Sequence, residues 1–332
     1  GYVGMHVLIA VASLHGSVDP HAKAPSIPVM GVPVMNGLTL LDQLVTSIDH
    51  PVHKLVLVHN LDDGQPNAEV CAWTARMRKS PPNHVKQVSV VTYRENLGCA
   101  AAWNTIMLQN QQSPWWLIVN ADVSFRPGTL RTIASHVWAG LLASTPGGRD
   151  PVCNWLFHGW SAFALANRAL HRVGTFDENF WPAYSEDCDY QARLVRSGCR
   201  SDSSLSPINP DRYPRWVHPL LKIVSALTGS VSVAHETSST FKANSSSRLH
   251  RTVKSGKNNN DYLSSKWGTK FKYCQEGPLQ TNATVPIRWR LDKARRRKRG
   301  GPPRCVACDA HGRAVRAGQH VVIQDDSEQA CG

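Results

Sequence analysis

The stretch IPVMGVPVMNGLTLLDQLVTSIDHPVHKLVLVHN, Ile27 to Asn60, decides the fold. It opens on an apolar run of strand length, and Leu38, Leu41, Leu44, Val45 and Ile48 then recur at the spacing of one helix face. HKLVLVHN (53–60) is a second short apolar strand. A polar, helix-compatible stretch from Asn67 to Arg78 leads to the strand VKQVSVVTY (85–93), the helix ENLGCAAAWNTIMLQNQ (95–111) and the strand WWLIVN (115–120), closed by ADVSFRPGTL. Strand and helix alternating from residue 27 to about 140 predict an α/β fold, a doubly wound sheet with helices on both faces and a ligand crevice at its strand ends.

The second half is less regular. WSAFALANRALHRVG (160–174) reads as a strand running into a helix, and GSVSVAHETSS (229–239) as a strand that ends on His235. Between them, SEDCDYQARLVRSG (185–198) has the marks of a capped helix: Ser185 at its start, acids in its first turn and Gly198 at its end. Asp189 and Arg193 are four residues apart, a stabilising pair on one face. An insertion at 201–228, which contains Trp216 and His218, mixes a Pro-rich loop with a short apolar helix, and long loops inside a domain are often lids or binding loops. The expected organisation is an N-terminal segment 1–26, a domain 27–285 with a nucleotide half 27–140 and an acceptor half 141–285, and a basic tail 286–332.

Composition limits the function classes. The chain of 332 residues is 42% hydrophobic, enough for a substantial core, and its longest apolar run, VLIAVASL (7–14), is too short to span a bilayer. That run is compatible with the remnant of a signal or anchor segment. The net charge is +13, but the nine Lys and Arg between Arg288 and Arg304, set against Asp292 alone, supply +8 of it. A run of this kind is ordinarily a solvated tail, which argues against nucleic acid as the partner and allows peripheral contact with an anionic membrane surface. Nine cysteines are scattered without a repeating framework. Sequons at Asn244 and Asn282 favour a secretory or Golgi lumen slightly over the cytoplasmic membrane face. Cys305, Cys308 and His311 stand at zinc-like spacings without a fourth ligand.

Several motifs carry chemistry. In VNADV (119–123), Asn120 and Asp122 follow an apolar strand, where a carboxylate can hold a divalent cation against a diphosphate; the same residues suit a plain turn. Gly98 precedes a small-residue helix, where the backbone can approach a phosphate. His235 can complete a metal site or simply be structural. The bulky approach FWPAY (180–184) is more than a solvated helix start needs, and Trp181 and Tyr184 suit a sugar face.

Taken in order, these segments resemble family 2 glycosyltransferases of the GT-A fold, particularly the rhamnosyltransferase-like branch. IPVMGVPVMNGLTLLDQLVTSI (27–48) looks like the opening strand and helix of that family, LVLVHNLDDG (55–64) its second strand, and NLGCAAAWN (96–104) its Asn-x-Gly helix. LIVNADVSFRPGTL (117–130) is similar to a variant DXD motif, and VGTFDENFWPAYSEDCDYQARLVRSGCR (173–200) to the acceptor segment. VAHE (233–236) resembles the metal-side histidine, and YLSSKWG (262–268) a segment found after it. Coverage is roughly residues 27 to 270, and the ordered series is the specific signal.

The resemblance implies an inverting transfer from a nucleotide-sugar donor, a UDP- or dTDP-sugar, to a hydroxyl of a glycan, glycolipid or glycoprotein. It makes Asp187 the general base, with Glu186 orienting it or binding acceptor. Asp122 would coordinate Mn or Mg, with Asn120 beside it and His235 as a further ligand. Asp62 or Asp63, near Asn36 and Asn60, would hold the base or ribose, and Asn96, Gly98 and Asn104 would complete the donor site. Trp160, Trp181 and Tyr184 would line the acceptor site. Asn in place of the first Asp of the DXD-like motif leaves one carboxylate fewer for the metal. A catalytically inactive domain that binds nucleotide or glycan within a complex is the rival reading, and the presence of Asp187 counts against it.

Overall fold

A computed structural model describes residues 24–35, 37–60, 68–93, 96–143, 151–206, 233–235 and 257–267. The elements are β1 (Ile27–Val34), α1 (Leu38–Thr46), β2 (Val52–His59), α2 (Ala68–Lys79), β3 (Val85–Thr92), α3 (Cys99–Leu108), β4 (Trp115–Val119) and β5 (Val123–Phe125). They continue with α4 (Thr129–Leu142), β6 (Val152–Leu156), β7 (Ala162–Ala166), α5 (Asn167–Val173), α6 (Glu186–Arg196), β8 (Arg200–Asp202), β9 (Val233–His235) and α7 (Lys257–Trp267).

Seven strands form one mixed sheet in the order β3-β2-β1-β4-β7-β6-β8. The β3-β2-β1-β4 half is parallel, as the sequence alternation predicts. β7 then pairs antiparallel with both β4 and β6, and β8 joins β6 in parallel. The two faces of the sheet carry two cores. In β4, Trp115, Leu117 and Val119 enter one core, while Trp116 and Ile118 enter the other. Helices α1, α2 and α4 cover the first through Leu41, Trp73 and Ile133. The second is covered by α3, α5 and α6 through Ile106, Val173 and Leu194. Full burial of each such side chain contributes about 1.5–3 kcal/mol, so the apolar runs hold the sheet.

Among the elements not expected from sequence are α4, β6 and β8. RPG does turn the chain, but with Gly128 at φ 81° it also opens the fourteen-residue helix α4. The short strands β6 and β8 bridge β7 to the sheet edge, and a disulfide between Cys153 and Cys199 ties them together. The preceding helix sets up that link. Gly198, at φ 62°, closes α6 with bonds from Gly198 N to Val195 O and from Cys199 N to Leu194 O, which directs Cys199 toward β6. Cys71 and Cys188 each take part in a disulfide as well, so the cysteines are less scattered than their spacing suggests. Among the described residues no helix is long and apolar enough to cross a membrane. The N-terminal segment, both sequons, most of the insertion, the Cys305/Cys308/His311 cluster and the basic tail lie outside the described residues.

Candidate active site

The parallel strands end on one side, and the polar residues that follow them meet there. Asn60, after β2, is buried; its Nδ2 donates to Gly98 O at 3.4 Å and its Oδ1 accepts from Leu97 N at 3.3 Å. Asn96 accepts from Gly98 N through its Oδ1 at 2.9 Å. Both asparagines therefore shape the loop that leads into α3. Before Asn60, His59 is buried, and burial lowers its pKa to about 4. A neutral imidazole thus underlies this crevice.

Gly98 has φ 90°, a region costly for other residues. The close approach it permits is to protein: a Cβ here would lie 2.8 Å from Pro182 O and 3.0 Å from Trp181 Cδ1. The first N–H of α3, from Cys99, likewise donates to Pro182 O at 2.8 Å. The Trp181 indole N–H donates to Asn96 O at 2.8 Å. The glycine expected to admit a phosphate instead docks the aromatic segment of the second half against the first.

Asn104 sits lower, at 2% exposure. Its Nδ2 donates to Phe176 O and Glu178 Oε1, both at 2.9 Å, and its Oδ1 accepts from Phe176 N at 2.8 Å. With both sides of its amide engaged, it clips α3 to the segment before the acids rather than facing a donor.

Asn120 and Asp122 are half-buried in the turn between β4 and β5, as the sequence places them. β5 pairs antiparallel with β9, and Val123 stands opposite His235, so the histidine's backbone lies one register step from Asp122. Among the described residues no group of three His, Cys, Asp or Glu side chains forms a metal centre. The oxygen-rich pair Asn120 and Asp122 nonetheless suits a hard cation that takes most of its ligands from a diphosphate. Asn36, Asp62 and Asp63 lie outside the described residues.

The acids come from α6. Its N-cap, Ser185, takes the left-handed conformation at φ 74° and makes no side-chain cap bond, contrary to the expected serine cap. Tyr184 before it has φ 76°. Two successive non-glycine residues in this region mark a strained corner directly before Glu186 and Asp187. The Ser185 hydroxyl goes to Asn260 Oδ1 at 2.9 Å instead.

Glu186 is buried, and burial first, then the charge of Asp187, raise its pKa well above the ordinary range. The Cys99 thiol lies within electrostatic reach of this carboxyl, and burial first, then Glu186 and Asp187, raise the thiol's pKa. Asp187 is also raised by burial, although backbone N–H groups, including Cys188 N at 2.8 Å from Oδ1, partly offset this. Tyr184 is half exposed, and its phenol is pushed up to about 12 by desolvation and by Glu186, Cys99, Asp122 and Asp187. One phenol thus lies within electrostatic reach of the β4–β5 turn, the start of α3 and both acids of α6. Trp160 is half-buried against Trp103, Phe163, Phe176 and Tyr190, at the edge of the core beneath α6.

No family model matches the chain. A galactofuranosyl glycosyltransferase of Leishmania donovani is 29% identical over 147 residues, 41% of this chain. The resemblance is to a glycosyltransferase. The matched part spans 31% of that relative's length. Among solved structures, a mannosyltransferase from Pyrobaculum calidifontis, in complex with GDP-Man and Mn2+, is 18% identical, with a TM-score of 0.42 and 55% of each chain covered. Residues 1–349 of TarS from S. aureus are 11% identical, with a TM-score of 0.37 over 61% of this chain and 65% of that one.

Sequence reasoning missed four residues that hold this site: Cys99, Asp177, Asn259 and Lys266. Lys266 is 3% exposed and lies between Asp177 Oδ2 at 2.8 Å and Asp189 Oδ1 at 2.7 Å. Arg193 Nε donates to Asp189 Oδ2 at 2.9 Å, so the expected pair exists, but buried within a four-charge network of zero net charge. The YLSSKWG segment was the available signal, since it supplies Lys266 and Trp267.

Proposed function

We propose that the protein is an inverting glycosyltransferase that moves a hexosyl or deoxyhexosyl group from a nucleotide-sugar donor to a hydroxyl acceptor. The observation that carries this reading is that the segment leading to Glu186 and Asp187 docks on the start of α3, through Cys99 N to Pro182 O and the Trp181 indole to Asn96 O, at the same strand ends that carry Asn120 and Asp122. An alignment over 147 residues, 29% identical, to a galactofuranosyl glycosyltransferase independently supports the glycosyl-transfer part of this reading.

Asp187 is the base. Its raised pKa strengthens it as a proton acceptor, and the N–H groups around its carboxylate keep the ionised form accessible. The acceptor hydroxyl gives its proton to Asp187 as its oxygen bonds to the anomeric carbon; the bond from that carbon to the diphosphate oxygen breaks, and the nucleotide leaves with the electron pair. Glu186, whose burial favours its protonated form, orients Asp187 or binds the acceptor. Trp160, Trp181 and Tyr184 line the acceptor site. Asn120 and Asp122, with His235 alongside, would hold Mn or Mg, which supplies positive charge to the leaving diphosphate. Asn60, Asn96 and Gly98 set the loop against which the donor rests. The compartment we propose is an oxidising lumen, supported by the Cys153–Cys199 disulfide.

The test is a panel of UDP-, dTDP- and GDP-sugars with Mn or Mg, led by UDP-galactofuranose and read as nucleotide release with a sugar acceptor. Turnover that Asp187→Asn removes supports the reading. No turnover with any donor overturns it.

A further inference from the structure

We propose that α7 is a clamp that holds the strained corner before the catalytic base in its productive geometry, with Asn259 and Lys266 as positioning residues. This rests on the assignment of Asp187 as base. Asn259 is 5% exposed, and its Nδ2 donates to Ala183 O at 2.8 Å and to Tyr184 O at 3.0 Å. Asn260 accepts from the Ser185 hydroxyl at 2.9 Å. Adjacent residues of one helix thus engage three consecutive residues of the corner, two of them at positive φ. Such a conformation persists only where its surroundings over-determine it.

The other end of the clamp is anchored in the core. Lys266 joins Asp177 and Asp189, the Trp267 indole N–H donates to Asp189 Oδ1 at 3.0 Å, and the Tyr262 hydroxyl donates to Asp177 Oδ2 at 2.8 Å. Phe180, Cys188, Ala192, Leu263 and Trp267 form a separate apolar cluster between α6 and α7. The acceptor loop and the base helix are therefore fixed from one side by α7 and from the other by Gly98 and Asn96. Because Asp187 directly follows the corner and Glu186, a rotation at Tyr184 or Ser185 re-aims its carboxylate. A misplacement of about 1 Å at a reacting group can cost about 100-fold in rate.

The variants are Asn259→Ala and Asn260→Ala, which leave the buried charges intact. The readouts are kcat and donor KM for the most active donor of the panel, and amide hydrogen exchange of peptides covering 183–188. The expected result is a fall in kcat of at least tenfold for Asn259→Ala, a donor KM within threefold, and faster exchange confined to 183–188. Unchanged exchange there, or kcat per folded enzyme within twofold of wild type, overturns the clamp. If wild type turns over no donor, the functional reading fails separately, and the exchange result alone decides whether α7 restrains the corner.

Discussion

Lys266 and Asp189 stand 2.7 Å apart, charge to charge, with side chains only 1% and 0% exposed, across 77 residues of sequence. Neither charge is tolerable at that depth alone. Together with Asp177 and Arg193 they form a neutral set, in which burial works against the Lys266 charge but the two carboxylates outweigh it.

Lys266→Met leaves two buried carboxylates facing Arg193 alone, and is expected to cost about 3–5 kcal/mol of stability. Lys266→Arg should cost less. Urea denaturation followed by circular dichroism checks both, and a loss below about 1 kcal/mol for the Met variant would contradict the network's importance.

The same network sets an acid response. Burial alone would raise Asp177, but Lys266 and Asn179 hold it down at about 2, below its ordinary 3.8. A depressed carboxylate contributes stability that is complete above its unfolded value and is lost as pH falls through the folded one. Between pH 4 and pH 2 the urea midpoint should therefore fall more steeply in wild type than in Asp177→Asn.

Glu186 has the opposite sign. Its folded pKa is raised well above 4.5, so its favourable contribution is present below that value and is lost as pH rises toward the folded pKa. Glu186→Gln should match wild type in stability near pH 4, gain on it as pH rises, and transfer sugar more slowly. Thermal melts across pH 4 to 9 check the first two points.

Much of this was legible in the sequence. Alternating apolar runs gave β1 to β4 because a sheet buried on both faces demands apolar residues at nearly every position, and Ser185–Gly198 bounded α6 through its acids and terminating glycine. Helix α4 was hidden behind RPG, a turn signal that also starts a helix. Lys266 carries no local mark: its partners lie 77 and 89 residues away, and only folding brings them together. Gly98 stands where a backbone can approach a phosphate, yet its contact is with Pro182, which spacing cannot reveal.

Gly98→Ala follows from that contact. The added Cβ meets backbone at 2.8 Å in a positive-φ residue, so neither partner yields cheaply. A loss of about 2 kcal/mol is expected, with activity lost through displacement of Trp181.

The Cys153–Cys199 bridge closes a separation of 46 residues. Removing it with Cys153→Ala should cost about 4 kcal/mol from loop entropy. An unchanged melting temperature would show that the bridge contributes nothing.

In the proposed mechanism Asp187 takes the acceptor's proton, and single-turnover transfer by Asp187→Asn is the decisive experiment. The carboxamide keeps the shape of the site and removes the base, so the rate should fall at least about 100-fold while nucleotide binding stays within a few-fold. Transfer retained above a tenth of the wild-type rate would contradict it.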